Sequence, residues 1–279
     1  MKYSMTGLTI GALAAIALGL TSAPAAAQYQ QGNPGNTAGK MAPNPNPMPR
    51  TPDGKPDLSG TWQAGGVSIN GEAGAPPLHP LPPAPVRPSA RQPIPYQDWA
   101  EAKRKTFTVL DDPTSKCFLP GVPRITGMPM PMEIVQTPKE VVILYESFRA
   151  WRRIPLNDKL QHPDDLTPTW MGDSVGHWDG DTLVVDVTGF NDKTWLSGLG
   201  TIHTEKLHVV ERFKPINYDT ILYEATVEDP GALTKPWVTS SVLRRPIDVR
   251  VEEYECIENN PDNEHIQKAM QLDKQKGSK

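Results

Sequence analysis

Ser174-Val175-Gly176-His177-Trp178-Asp179-Gly180-Asp181-Thr182-Leu183-Val184-Val185-Asp186-Val187-Thr188 sets two runs of β-branched and aromatic residues on either side of an Asp-Gly pair. An Asp-Gly pair between alternating apolar runs is a strong short-range signal for a two-residue hairpin turn. The stretch therefore predicts two antiparallel strands. With Asp179-Gly180 as the turn, His177 falls opposite Thr182, Val175 opposite Val184, and Asp173 opposite Asp186, all on one face.

The same kind of pattern continues in both directions. Downstream, residues 203–213, 220–228, 238–243 and 249–256 read as strands separated by short polar turns. Upstream, residues 133–136 and 141–148 flank Thr137-Pro138-Lys139 as a second hairpin, and residues 57–63 read as the start of a strand that buries the Trp62 indole. One helical pattern interrupts these, at residues 96–107, where Trp99, Ala102 and Phe107 alternate with Glu101, Lys103, Arg104 and Lys105. The chain carries 31 prolines, many between Pro43 and Pro95, where each removes a ladder donor and excludes a regular central strand. Residues 117–131 read as a covering loop rich in Pro and Gly. Together these predict a mostly β fold: an antiparallel barrel or sandwich with one short N-terminal helix and long Pro-rich covering loops.

The organisation follows from composition. Lys2, the apolar run 8–20 and Ala25-Ala26-Ala27 match the three regions of a secretory signal peptide, predicting cleavage after Ala27. The run is shorter than the roughly 20 residues of a membrane span, so no membrane insertion is expected after cleavage and the protein is expected to be periplasmic or secreted. Residues 28–50 lack large apolar side chains and are expected to be a disordered leader, residues 51–258 a single β domain, and residues 259–279 a charged tail that begins with a short helix. The only two cysteines, Cys117 and Cys256, are expected to form a disulfide, the usual fate of an even pair in an exported chain. A net charge of -4 without a dense basic cluster argues against nucleic acid as a partner. No pattern specifies an oligomeric state.

Candidate chemistry is sorted by strand face. If residues 203–213 are one strand, His203, Glu205, Leu207, Val209, Glu211 and Phe213 share a face, a mixture that suits the lining of a ligand-binding barrel. Glu211 and His203 are then the candidate acid-base pair, because a desolvated interior raises the pKa of a carboxyl group. The plainer alternative places His203 and Glu205 at a rim and pairs Glu211 with an arginine. His177 with Asp173 is a second catalytic candidate, a histidine beside carboxylates, with Asp186 across the hairpin. The loop 189–195 supplies Asn191, Lys193 and Trp195 as ligand-orienting candidates; its alternative is local turn chemistry with Trp195 as a plug.

Arg149, Trp151 and Arg153 share one face of a further strand and Phe148, Arg152 and Ile154 the other; the run reads as an exposed, charge-protected edge, although an inward arginine could neutralise Glu211. A metal is not expected: His203 and His208 lie on opposite faces, and a site from His177, His203 and a carboxylate needs three strands to converge. No cofactor is expected either, since the P-loop, dinucleotide, zincin and serine-hydrolase signatures are absent.

The phrases at 51–60, 172–186 (GDSVGHWDGDTLVVD) and 189–195 (GFNDKTW) resemble those of a large group of uncharacterised secreted proteins from soil and aquatic bacteria. That resemblance implies export and a shared design, and no activity. Gly60-Thr61-Trp62 is also similar to the Gly-x-Trp start of lipocalin-like barrels, which implies fold alone. Two functions remain open at this level. One is a barrel that binds a small, partly apolar molecule and transforms it by acid-base chemistry of hydratase, isomerase or hydrolase type. The other is a non-catalytic module that binds carbohydrate or another extracellular ligand through Trp178, Trp195 and Trp237.

Overall fold

The computed structural model describes residues 44, 46–64, 93–159, 161–258, 268 and 271. The expected signal peptide, most of the leader, and the tail other than Lys268 and Gln271 lie outside the described residues. Nine strands form one antiparallel sheet: β1 Gly60–Ala64, β2 Met132–Gln136, β3 Glu140–Tyr145, β4 Trp151–Pro155, β5 Asp173–Asp179, β6 Thr182–Thr188, β7 His208–Asn217, β8 Thr220–Glu228 and β9 Trp237–Arg244. Their spatial order, β4-β3-β2-β1-β9-β8-β7-β6-β5, is an up-and-down meander joined where β1 pairs with β9. The sheet curls into a nearly closed barrel, the mostly β architecture the alternation predicts.

Closure stops at β4 and β5. Alternating direction through nine strands leaves these two parallel, and they meet at a single parallel bridge, Leu156 with Gly176, where the Asn157 N–H donates to the Gly176 carbonyl at 2.7 Å. A Cβ on Gly176 would lie 2.9 Å from Ile154 Cγ2 and 3.2 Å from Leu156 Cδ2, so the seam closes this tightly only around a glycine.

Inward positions form a continuous core: Trp62, Ile134, Ile143, Ile154, Leu183, Val185, Val209, Phe213, Ile221, Tyr223 and Leu243 are all essentially buried. At the end where β1 begins, the Trp62 indole donates to the Leu58 carbonyl at 2.8 Å. The Arg245 guanidinium covers it at 4.3 Å and lies 4.7 Å from the Tyr218 ring. Gly60 has φ +114°, and a Cβ there would fall 2.2 Å from Arg245 Nη1. The Gly-x-Trp start is thus a place where the arginine plug and the backbone share space.

Several expected boundaries move, each for a local reason. The hairpin closes one step later, with Asp179 opposite Thr182 and Gly180-Asp181 as the turn; Gly180, at φ +60°, takes the first turn position. His177 therefore faces Val184, Val175 faces Asp186, and Asp173 faces Thr188, although the faces themselves are unchanged. Residues 203–207 are not strand. The Asp229 carboxylate takes the Thr204 N–H and hydroxyl, and the Leu207 N–H returns to the Thr204 carbonyl, so β7 begins only at His208. Residues 249–256 form no strand, because β9 already has β8 and β1 on its two edges. The helix shortens to α1, Asp98–Arg104, and docks through Ala100, with Ala102 exposed.

Cys117 and Cys256 form the expected disulfide, which ties the covering loop to the segment after β9 across a sequence separation of 139. Among the described residues, no helix is long and apolar enough to cross a membrane. Replacing both cysteines by serine is expected to lower the unfolding free energy by up to about 5 kcal/mol, read from denaturant midpoints of the oxidised protein and the double variant.

Candidate functional site

The barrel interior holds a charged centre that five strands assemble. Glu211 of β7 is fully buried and accepts from Arg152 of β4 through both oxygens, at 3.1 Å from Nη1 to Oε1 and 2.5 Å from Nη2 to Oε2. Tyr223 of β8 donates its hydroxyl to Glu211 Oε1 at 2.8 Å, and Arg152 Nη2 also donates to Ser174 Oγ of β5 at 3.0 Å. Tyr145 of β3 stands 3.5 Å from Arg152 Nη1 and 3.3 Å from Thr126 of the covering loop. Strand alternation explains the placement: Arg152 is two residues from buried Ile154, and Glu211 lies between buried Val209 and Phe213.

Electrostatics follow from burial and this one pairing. Burial opposes the Arg152 charge, but Glu211 outweighs it and holds the guanidinium above its ordinary value. Burial, reinforced by the Glu211 charge, pushes the Tyr223 phenol well up, so that it serves as a hydrogen-bond donor. Burial likewise raises Tyr145. The bidentate arginine supplies the countercharge that a desolvation argument for Glu211 leaves out. Two interior polar atoms have no partner: Arg152 Nε and Ser241 Oγ, the latter on β9 directly across from Tyr223.

The residues singled out from sequence fall into three separate places. Glu211 is in the barrel. His203 is buried outside the sheet, in the layer over the β7 start, where its Nδ1–H donates to the Thr204 carbonyl at 3.0 Å and its Nε2 accepts from the Thr194 hydroxyl at 2.6 Å. Burial lowers its pKa, in keeping with this neutral tautomer. Glu205 is exposed in the turn, so His203, Glu205 and Glu211 do not share a strand face.

Asn191 and Trp195 belong to the same layer as His203. The Asn191 side chain accepts from the Lys193 N–H at 3.1 Å, a local turn bond, and the Lys193 side chain is exposed. Trp195 is 5% exposed and packs 4.9 Å from the Phe107 ring. His177, Asp173 and Asp186 lie on the outer face of the sheet, where Asp173 and Asp186 bind His162 at 2.6 and 3.0 Å. Among the described residues, no three His, Cys, Asp or Glu side chains converge in a way that could hold a metal ion.

The plainer reading that pairs Glu211 with an arginine holds, and the arginine is Arg152, on the face it shares with Ile154; Tyr145, Tyr223 and Ser241 were not singled out. Arg149, Trp151 and Arg153 do point outward, as an edge predicts, and the signal for Arg152 was its shared face with Ile154. No protein-family model matches the chain, and no curated protein or solved structure matches it.

Two outcomes are expected here. Glu211→Leu alone leaves a buried guanidinium uncompensated and should cost about 3–5 kcal/mol, whereas Arg152→Met with Glu211→Leu should recover most of it, measured by urea unfolding of both variants. His203 has a depressed folded pKa against an ordinary 6.5, so its neutral burial supports the fold above 6.5, and that support is lost as pH falls through the folded value. His203→Asn should flatten stability against pH below 6.5; an unchanged slope would assign it to other groups.

Proposed function

We propose that this protein is an exported β-barrel that binds a small, partly apolar molecule, with the polar end of the ligand at the Arg152–Glu211 centre. The observation that carries the reading is a fully buried ion pair inside the barrel whose neighbourhood keeps two donors unspent, Arg152 Nε and Ser241 Oγ. A buried pair is costly relative to apolar packing, and buried donors normally find acceptors. A ligand with a neutral acceptor, a carbonyl or ether oxygen, would meet both donors, while Val185, Val209, Phe213 and Ala225 offer apolar wall.

Binding is favoured over proton transfer because the Glu211 oxygens are already engaged by Arg152 and Tyr223. The carbohydrate alternative loses its strip: Trp195 and Trp237 are 5% and 4% exposed, and Trp178 packs against the core. Export is supported by the signal-peptide pattern together with the disulfide.

The test is native mass spectrometry of protein recovered from an oxidising compartment, combined with titration by the neutral fluorophore N-phenyl-1-naphthylamine. Saturable binding at one site is expected. Ser241→Ala removes a hydroxyl without a partner, so stability should stay within about 0.5 kcal/mol of the parent, while affinity for an oxygen-bearing ligand drops about five- to tenfold. Absence of saturable binding, or unchanged ligand affinity in Ser241→Ala, would remove the assignment.

A further inference from the structure

We infer that the crossover between β4 and β5, residues 156–172, is a proton-operated strap over the barrel seam, latched by His162 and His208 to the carboxylates of Asp173, Asp186 and Glu228. Among the described residues the seam joins its two strands by a single bridge, and the Arg152–Ser174 hydrogen bond of the interior centre crosses it. The strap is fastened at both ends. Near β4, Leu156 and Asn157 meet Gly176. Near β5, the Thr169 N–H donates to the Gly189 carbonyl, the Asn191 N–H donates to the Thr169 carbonyl, and Trp170 stacks on Phe118 at 5.1 Å.

Between those ends His162 is the polar fastening. Its Nδ1 lies 2.6 Å from Asp173 Oδ2 and its Nε2 lies 3.0 Å from Asp186 Oδ1. Val175 sits directly across from Asp186 and is 4% exposed although it points outward. Asp186 is shared, for its Oδ2 is 2.9 Å from His208 Nε2, and His208 Nδ1 is 3.4 Å from Glu228 Oε2.

An ionised carboxylate only accepts, so a ring nitrogen that bonds one must carry the proton, and a ring can hold carboxylates through both nitrogens only with both protons in place. With both protons on each ring, two positive charges among three carboxylates leave one net negative charge. With both rings neutral, three negative charges would share the same small region, and each ring would have to turn a lone pair toward an anion. Loss of the protons therefore weakens the latch twice over, by removing hydrogen bonds and by exposing like-charge repulsion.

Among the described residues, the charged groups around the two rings are mostly carboxylates. Asp173 of β5, Asp186 of β6, His208 of β7 and Glu228 of β8 face the two rings. Arg212 of β7 is engaged by Asp179 at the far end of the hairpin, and Lys206 is exposed. On the strap itself Asp158, Lys159, Asp164 and Asp165 are exposed.

The direction of the response follows from sign. The hydrogen bond to Asp186 raises His208 above 6.5, so its stabilisation is present below 6.5 and is lost as pH rises through the higher folded value. Burial pushes Asp186 up, but its bonds to His208 and His162 outweigh that and hold it below 3.8; its share is lost only in strong acid, as pH falls through the lowered value. The latch is closed below 6.5 and opens as pH rises through the raised His208 value.

Hydrogen exchange read by mass spectrometry on the full chain tests this, comparing peptides from 156–172 with peptides from β7 and β8 at pH 5.5, 7 and 8.5 after correction for intrinsic rates. Strap peptides should lose about tenfold in protection by pH 8.5 while β7 and β8 stay protected. In His162→Gln the strap should exchange at pH 5.5 as fast as the parent does at 8.5. A strap whose protection does not change with pH, or changes equally in His162→Gln, overturns the latch.

That the strap governs passage to the interior rests on the proposed ligand site, and it is read separately as faster release of N-phenyl-1-naphthylamine at pH 8.5. Constant release alongside a pH-dependent strap overturns the gating role. If the probe does not bind at all, the ligand site falls and exchange alone decides the latch.

Discussion

An antiparallel meander of nine strands comes round to its beginning with two neighbours running the same way, and such neighbours cannot be joined by a short turn or continue the ladder. Everything particular to this barrel follows from that parity. β4 and β5 need a long crossover, the crossover needs fastenings, and the uncompleted edge between the strands needs a residue small enough to let them touch. Gly176 provides the contact, and side chains do the work that backbone hydrogen bonds do elsewhere in the sheet. The Arg152–Ser174 bond is one of these: it joins the strands from inside, as His162 joins the crossover to the sheet from outside.

The interior pair is better understood as a constraint on specificity of closure than as a source of stability. Replacing a buried Arg–Glu pair by apolar residues is often neutral or stabilising, while breaking it is expensive. Its bidentate geometry and the Tyr223 hydroxyl tie β4, β5, β7 and β8 in one relative arrangement, which apolar side chains could satisfy in several. The same bonds decide its chemistry. Both Glu211 oxygens are occupied, by the arginine and the phenol, and the proposed binding role rests on that occupancy.

Fold class was legible because strand alternation is local: the hairpin at 174–188 and the strand 220–228 carry their own pattern, and the second coincides with β8. The partner of Glu211 was left open between His203 and an arginine, because the choice depends on which strand lies beside which. Glu211 could be placed on an inward face, but that Arg152 would reach it from a strand 59 residues away depends on barrel closure. The failures have the same root. Residues 203–207 and 249–256 alternate as well as true strands do, yet one is held in a turn by Asp229 and the other follows a strand whose two edges are already taken.

Alternation also separates what a list of polar residues would merge. Asp173 and Asp186 stand on the outer face of strands whose next residues, Ser174 and Val185, line the interior, so a single sheet carries two polar systems that never touch through space. They are linked through the seam instead. Ser174 and Asp173 are consecutive in β5, so any displacement of β5 from β4 strains the interior bond to Arg152, while the crossover that bears His162 joins those two strands. The outer system faces water and the inner one is buried, and the barrel's incomplete closure is the mechanical route by which the proposed latch would be felt at the interior bond.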